Sequence, residues 1–552
     1  MRSDLDRKFD ETLAAVTGPG GRLVIDADEE GRAIVANFPA TLPALFTTFC
    51  ELNSDTEAVV AGDERLTFGD LDRISERVAG GLVARGIEKG DRVGIAMRNC
   101  PSWIACYIGI VKAGAVATLL NGWWEAEEME HAVLLTDPAL IIADGPRANR
   151  IAARCETRKI LSLPIDLPVE QALAELLTAS EDTALPEVTP EDQATILFTS
   201  GSTGESKGAL STHRAVTTAT YAYSTGLLVL LGILTSEGRA PAVQARTLLS
   251  VPLFHVTGEV PVMINSFVIG RCMVIMKKWD AVEALRLIER EKVTYFVGVP
   301  TMSLELMTHP DRHKYDLSSL TDITAGGAPR PVSHVERLRS EFPNAQPALG
   351  YGLTETNAAG CANYWTNYAA KPASTGRPQR PFIELAILGA DDRHLRVGEV
   401  GEIAIRSAAN ITGYWRNPGA TQALFTGDGY VRTGDVGYLD EDDYLFIVDR
   451  KKEIIIRGGE NIAAAEVEAA CYACHEVAEV AVFGVADDRL GEVPIAVVHA
   501  RNGLSEDQLR AFLDERIAKF KVPARFIFLD EPLPRLGTGK IDRRALKAQY
   551  AS

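Results

Sequence analysis

The stretch TFGDLDRISERVAGGLVARGIEKGDRVGIAMRNCPSWIACYIGIVKAGAVATLLNGWWEAEEMEHAVLLTDPALIIAD, residues 67–144, alternates between two hydrophobic periods and thereby decides the fold. In FGDLDRISERVAGGLVARG, Leu71, Ile74, Val78 and Leu82 recur at spacings of three and four, the single apolar stripe of a helix that Gly86 closes. RVGIAM then reads as a strand, PSWIACYIGIVKAG as a helix, VATLLN as a strand, EAEEMEHAVLL as a helix and ALIIAD as a strand. Strands separated by helices are joined by crossovers, so they build a mostly parallel sheet with helices on both faces.

The same order recurs in LLSVPL, a helix over Asp280–Glu291, the strand VTYFVGV and a helix around Val332–Glu341, so two related α/β layers are expected. Past Ile383 the texture changes to short strands with turns (IELAILG, GEIAIRS, YLFIVDR), a β subdomain over about 383–449. Beyond Arg450 come a helix at Ala463–Ala473, strands EVAVFGV and PIAVVHA, and a helix at Ser505–Lys519. The expected fold class is therefore α/β. A large N-terminal domain of stacked sheets (1–449) precedes a small, mobile α+β C-terminal domain (450–552).

Composition narrows the function. The 552 residues are 46% hydrophobic and 24% charged, as in ordinary globular proteins. Fifty-seven Lys and Arg against 75 Asp and Glu leave a net charge of −18, a field that repels nucleic acid. Eight cysteines are too sparse for a disulfide scaffold, and MRSDLDRKFD lacks the apolar core of a signal peptide, so a cytoplasmic chain with reduced thiols is expected. Cys471 and Cys474 form a lone C-x-x-C and read as unpaired thiols. AVTTATYAYSTGLLVLLGILTS, between Arg214 and Glu237, is charge-free; its Thr, Ser and Gly favour a buried or groove-lining helix, with weak peripheral membrane contact the alternative. The oligomeric state is left between monomer and homodimer.

The strongest local signal is TILFTSGSTGESKGAL at 195–210. An apolar strand enters a loop of Thr199, Ser200, Gly201, Ser202, Thr203, Gly204 and Lys207, where small residues expose N–H groups and Lys supplies a cation: a polyphosphate cradle. A Walker A loop would need Gly at 206 and Ser or Thr at 208, and the chain has Ser206 and Gly208. Further signals are AGGAP at 325–329, GYGLTE at 350–355, RTGDVGYLDEDDYLFIVDRKKEIIIRGGEN at 432–461 and PRLGTGKIDRR at 534–544.

In these motifs, their order and their spacing, the chain resembles the adenylate-forming superfamily of acyl-CoA synthetases, peptide-synthetase adenylation domains and luciferases, from about Leu45 to Leu546. The resemblance implies ATP, Mg²⁺ and coenzyme A, and assigns roles one position at a time. The 199–207 loop would hold the triphosphate, and Gly326, Gly327 and Ala328 would lie along the adenine. In YGLTE, Tyr351 would stack on the adenine with Gly352 also at the nucleotide, Thr354 would contact the α-phosphate, and Glu355, with Thr199, would hold Mg²⁺. TGD occurs twice; Asp435 is assigned to the ribose hydroxyls and Asp428 to a turn. Arg450 would also reach the ribose, Asp449 would be the hinge, and Gly458, Gly459 and Glu460 would line the pantetheine tunnel. Lys540 would bridge the acid carboxylate and the α-phosphate, and His255 would gate the substrate.

The expected acyl pocket comprises Trp123, Trp124, Phe254, His255, Val256, Val297, Gly298, Met302, Gly326, Gly350 and Asn357, apolar with small residues at its base. A medium- or long-chain fatty acid leads, with aryl or arylalkanoic acids close behind. An adenylation enzyme loading a carrier protein, or a non-catalytic interaction protein on the same fold, are the alternatives.

Overall fold

The computed structural model describes residues 2–550 except 178–182, 200–205, 329, 459, 488, 502, 537 and 538. Among the described residues the strands form four large sheets and a two-stranded ribbon. The opening stretch folds as its periods dictate. Phe68–Ala84 is a helix that starts at a capping box between Thr67 and Asp70 and buries Leu71, Ile74, Val78 and Leu82. Arg92–Ala96, Val116–Leu119 and Leu140–Asp144 are parallel neighbours in a seven-stranded sheet, joined on one flank by Gln193–Thr199. Helix Pro101–Lys112, buried at every position, lies inside the molecule, which explains why its sequence is apolar all round.

The second layer is a nine-stranded sheet whose central strands Asp322–Ala325, Tyr295–Gly298, Arg246–Leu249 and Cys272–Ile275 are parallel. Two edges of the expected elements move. The strand read in LLSVPL ends at Leu249, and Ser250–His255 turns, because Pro252 offers no N–H to a ladder. The helix expected over Ser505–Lys519 runs only over Glu506–Asp514; the N–H groups of Arg516 and Ile517 both go to the carbonyl of Leu513, a tightened turn that ends it.

The four-stranded antiparallel sheet of Glu384–Leu388, Gly401–Arg406, Val431–Leu439 and Leu445–Arg450 carries Asp435 opposite Arg450. The last sheet, of Ile454–Arg457, Glu460–Ala463, Val477–Asp487, Gly491–Ala500 and Arg525–Leu529, packs its own core around Val467, Cys471, Val482, Ala496 and Leu509. Cys471 and Cys474 are buried free thiols of that core, and burial pushes Cys471 up to about 12.

The charge-free stretch belongs to helix His213–Ser236, long and apolar enough by composition to cross a membrane, with 67% of its most apolar window buried. Val216, Ala219, Ala222, Val229 and Ile233 face the protein, and the N-terminal helix Asp4–Thr17 packs along it. That N-terminal helix is anchored by Asp6, which accepts from Asn367, Arg377 and the Tyr444 hydroxyl.

Candidate active site

The C-terminal ends of the parallel strands in the second sheet converge on one cleft, as open α/β sheets require. The strand Asp322–Ala325 ends in Gly326 and Gly327, and Gln346–Tyr351 ends in Gly350 and Tyr351. A methyl group on Gly326 or Gly350 would meet no side chain; its nearest neighbour at Gly326 is a carbonyl 3.8 Å away. Their small size thus leaves open space above the strand ends. Gly327 differs: its φ is +75°, and a Cβ there would sit 3.1 Å from Lys540 Cε and 3.4 Å from Nζ.

Lys540 therefore enters the cleft from the C-terminal sheet and lies against the loop Gly326–Ala328. Its support is Gly539, where a Cβ would meet Val299 at 3.2 Å and Met302 at 3.3 Å. Burial, then the Arg450 cation nearby, push the Lys540 ammonium down to about 8, with Asp435 pulling the other way. His255 is held down at about 3 by burial and then by Lys540, so it is a neutral imidazole. Its Nδ1 accepts from the Thr257 N–H at 3.2 Å, which leaves Nε2 carrying the hydrogen.

Asp435 sits opposite Arg450 in the antiparallel ladder, 5% exposed. Its Oδ2 accepts from the Tyr351 hydroxyl at 2.7 Å and its Oδ1 is 3.3 Å from Arg450 Nε. Burial raises its pKa against the pull of Arg450 and Tyr351. The other TGD aspartate, Asp428, is exposed and bonded to Thr426 and His394 in a surface turn.

The phosphate loop is a hairpin at its base: Lys207 pairs with Thr199 across strands Gln193–Thr199 and Lys207–Thr212. Ser206, next to Lys207, is tied by its carbonyl to His131 at 3.2 Å. Ser200, Gly201, Ser202, Thr203 and Gly204 lie outside the described residues, as does Gly459. Lys207 Nζ stands 5.0 Å over the Tyr414 ring, and the Tyr414 hydroxyl donates to Glu355 Oε1 at 2.6 Å. This line brings the loop's cation and the carboxylate of the short helix Thr354–Thr356 to one place. Among the described residues no group of three or more His, Cys, Asp or Glu could hold a metal ion. A Mg²⁺ at Glu355 and Thr199 would thus draw its remaining oxygens from phosphate and water, the usual arrangement for that ion.

Tyr414 and Thr433, which bonds Ile403 and accepts from the Asp435 N–H, were not singled out by the sequence reading. The GYW at 413–415 is too short to speak alone; its importance comes from pairing with Ala209 and Leu210 across more than two hundred residues.

Five of the expected pocket residues, Gly298, Met302, Asn357, Trp123 and Trp124, are engaged elsewhere. Val297 and Gly298 are consecutive in a strand, so they face opposite ways. Val297 joins Phe254 and Val256 in the large core on the helix side, whereas a Cβ at Gly298 would meet Met302 and Phe296 in the core on the other face. Met302 accordingly supports the Lys540 loop. Asn357 is a tie, accepting from Ser211 Oγ at 3.0 Å and donating to the Ala409 carbonyl at 2.8 Å, with φ 50°. Trp123 is 37% exposed with its ring under Arg147 at 5.5 Å; Trp124 packs on Phe198.

Asp449 is 4% exposed and accepts from its neighbour Arg450 N–H at 2.7 Å. Backbone N–H groups of Ala464 and Ala465, at the start of helix Ala464–Tyr472, also point to it. The hairpin of Gly458 and Glu460 lies away from the cleft: Gly458 donates to the Leu490 carbonyl, and Arg457 to that of Phe520.

Residues 46–415 match the family model described as AMP-binding enzyme, and residues 466–540 that of the AMP-binding enzyme C-terminal domain. The chain is 32% identical over 548 residues to a long-chain-fatty-acid–CoA ligase of Bacillus subtilis (strain 168), covering 92% of this chain and 94% of that protein. It is 33% identical over 536 residues to 3-[(3aS,4S,7aS)-7a-methyl-1,5-dioxo-octahydro-1H-inden-4-yl]propanoyl:CoA ligase of Rhodococcus jostii (strain RHA1), covering 93% and 99%. ATP-bound MatB from Rhodopseudomonas palustris superposes with a TM-score of 0.82 at 27% identity, over 93% of this chain and 99% of that one.

Proposed function

The chain belongs to the AMP-binding enzyme family, and from that premise we propose that it activates a hydrophobic carboxylic acid with ATP and Mg²⁺ and transfers the acyl group to coenzyme A. The observation that carries this reading is the seat of Lys540 against Gly327, beside neutral His255 and the Arg450–Asp435 pair.

A carboxylate is a poor acyl donor. One of its oxygens attacks the α-phosphorus of ATP, the bond to the β-phosphate oxygen breaks, and pyrophosphate leaves with its electron pair. Negative charge concentrates on the α-phosphate and the carboxylate in that step. The Lys540 ammonium, the Thr354 hydroxyl and the 199–207 loop stabilise it; Glu355 and Thr199 would hold a Mg²⁺, which would supply further neutralisation of phosphate charge. Asp435 and Arg450 take the ribose, and Tyr351 gives up its bond to Asp435 as the nucleotide enters. In the second step the CoA thiol loses its proton and attacks the acyl carbon, and AMP leaves. That step uses the other domain orientation, in which Lys540 is withdrawn and the Gly458–Glu460 hairpin enters the cleft.

Neutral His255 cannot form an ion pair with the acid, so its part is positional: it closes the water side of the carboxylate. The acid lies along the open floor at Gly326 and Gly350. A plain fatty acid is one reading; the tyrosines described below favour the second, an aryl or alicyclic alkanoic acid. The test is a panel of acids assayed for AMP formation that requires both ATP and CoA. Dependence on all three substrates supports the proposal; AMP release without thioester, with transfer to a carrier protein instead, would replace it.

A further inference from the structure

The nine-stranded sheet has one dry face and one that is not. Phe296, Ile323 and Leu349, on one face, are buried in apolar cores. On the other face Tyr295, Thr324, Gly350, Ala362 and Tyr364 all keep accessible surface, and helix His213–Ser236 comes over the Tyr364 end. Tyr223 of that helix donates to the Ala358 carbonyl at 2.6 Å, and a Cβ at its Gly226 would sit 2.8 Å from the Tyr364 hydroxyl. Tyr223 interacts with both Tyr295 and Tyr364, so the three phenols gather between that helix and the sheet. The partly open side chains between sheet and helix outline a channel.

The strand register orders that channel. Gly350 pairs with Ala362 at the cleft end; two residues further, Ala348 pairs with both Thr324 and Tyr364. At about 3.3 Å per residue, the Tyr364 level lies roughly 7 Å beyond the Gly350 level. The floor is small and apolar up to that point and then becomes polar. Tyr364, stacked on Phe9 of the N-terminal helix at 6.0 Å, has no hydrogen-bond partner for its hydroxyl among the described residues. Tyr295 interacts with Thr324 and lies under the Arg271 guanidinium at 4.8 Å. Past Tyr364 a cavity of about 70 Å³ opens under the N-terminal helix, bordered by Thr225 and Gln379, whose Oγ1 and Nε2 are likewise buried without partners. A plain alkyl chain would leave the Tyr364 hydroxyl facing hydrocarbon.

We propose that the acid this chain accepts carries a hydrogen-bonding oxygen, a ketone or hydroxyl on a compact ring, at the end remote from its carboxylate, and that the Tyr364 hydroxyl is the donor that selects it. The proposal rests on the ligase reading above. It makes Tyr364 a specificity-determining residue, placed by Gly226 on one side and Phe9 on the other. Unpaired donors discriminate strongly, because an analogue lacking the oxygen leaves them unsatisfied.

The test compares matched acids, 3-(4-oxocyclohexyl)propanoate against 3-cyclohexylpropanoate and 3-(4-hydroxyphenyl)propanoate against 3-phenylpropanoate, with decanoate alongside. In the unaltered chain kcat/KM for the oxygenated member should exceed that of its partner by about tenfold or more. In Tyr364→Phe that ratio should fall to near one, and Thr324→Val, two strands away on the same face, should reduce it. Equal or better turnover of the deoxygenated acids or decanoate, or a ratio unchanged in Tyr364→Phe, would overturn the proposal while CoA-dependent AMP formation kept the ligase reading intact. If no acid is turned over, the ligase reading fails on its own. The ratio of Kd values for the matched acyl-sulfamoyl-adenosines, read by calorimetry in the same chains, then decides the inference by the same criterion.

Discussion

In the proposed mechanism Lys540 acts as a cation, in a place whose burial and neighbouring Arg450 disfavour one. Enclosure and Arg450 bring its pKa to about 8, while an incoming triphosphate would raise it again. The ammonium is present below the pKa and lost above it. Adenylation measured as kcat/KM for ATP should therefore decline as pH rises through about 8, and the limb in kcat should lie higher, since it reports the nucleotide complex. With His255 held near 3, no limb is expected in the ordinary histidine range, roughly pH 6.5. A histidine-like limb that disappears in His255→Gln would show that the imidazole titrates in function. At Gly327, Ala adds both a left-handed strain and a methyl 3.1 Å from Lys540 Cε. Gly327→Ala should slow acyl-adenylate formation by about tenfold or more, with a smaller effect on thioester formation from supplied acyl adenylate. Equal slowing in both steps would mean that the methyl disturbs nucleotide binding and not the lysine. At this scale the sequence named Lys540, Asp435 and His255 from motifs whose neighbours constrain them, and the structure brings the three to one cleft. Tyr414 and Tyr364 were not named, because their meaning comes from partners brought up by strand pairing far along the chain.

Elements place the phosphate end of the site. The hairpin at Thr199 and Lys207 supplies one wall, and the strand Gly413–Tyr414 added to its edge carries the phenol that orients Glu355. Tyr414→Phe frees that carboxylate, so the Mg²⁺ concentration giving half-maximal adenylation should rise several-fold with little change in the apparent KM for the acid. An unchanged Mg²⁺ requirement would place the ion elsewhere. Asn357 joins the loop after Glu355 to Ser211 and Ala409; Asn357→Ala removes both bonds and should destabilise the fold by about 2 kcal/mol in denaturant unfolding. The alternation of helix and strand over 67–144 was fully legible, since burial on two faces or one stripe writes itself into the hydrophobic period. Which face of a strand meets the acid was not. Val297 and Gly298 look equivalent in sequence, yet the two-residue period sends one to the helix side and the other to Met302.

Over the whole molecule, the C-terminal part is docked with Lys540 inside the cleft and with Gly458 and Glu460 outside it. Arg535 to Glu305 at 3.2 Å and the Tyr472 ring against His334 at 5.8 Å are contacts of this orientation. Asp449, placed between strand Leu445–Arg450 and the amides that open helix Ala464–Tyr472, is where the two parts meet. Fixing φ there with Asp449→Pro should hold one orientation and impair one half-reaction selectively, and wild-type rates in both would move the pivot elsewhere. The most direct test of the account is Lys540→Ala assayed in the two half-reactions separately. Acyl-adenylate formation should fall on the order of 100-fold or more, while acyl adenylate supplied with CoA is still converted to thioester and AMP. Equal loss in both half-reactions would contradict it.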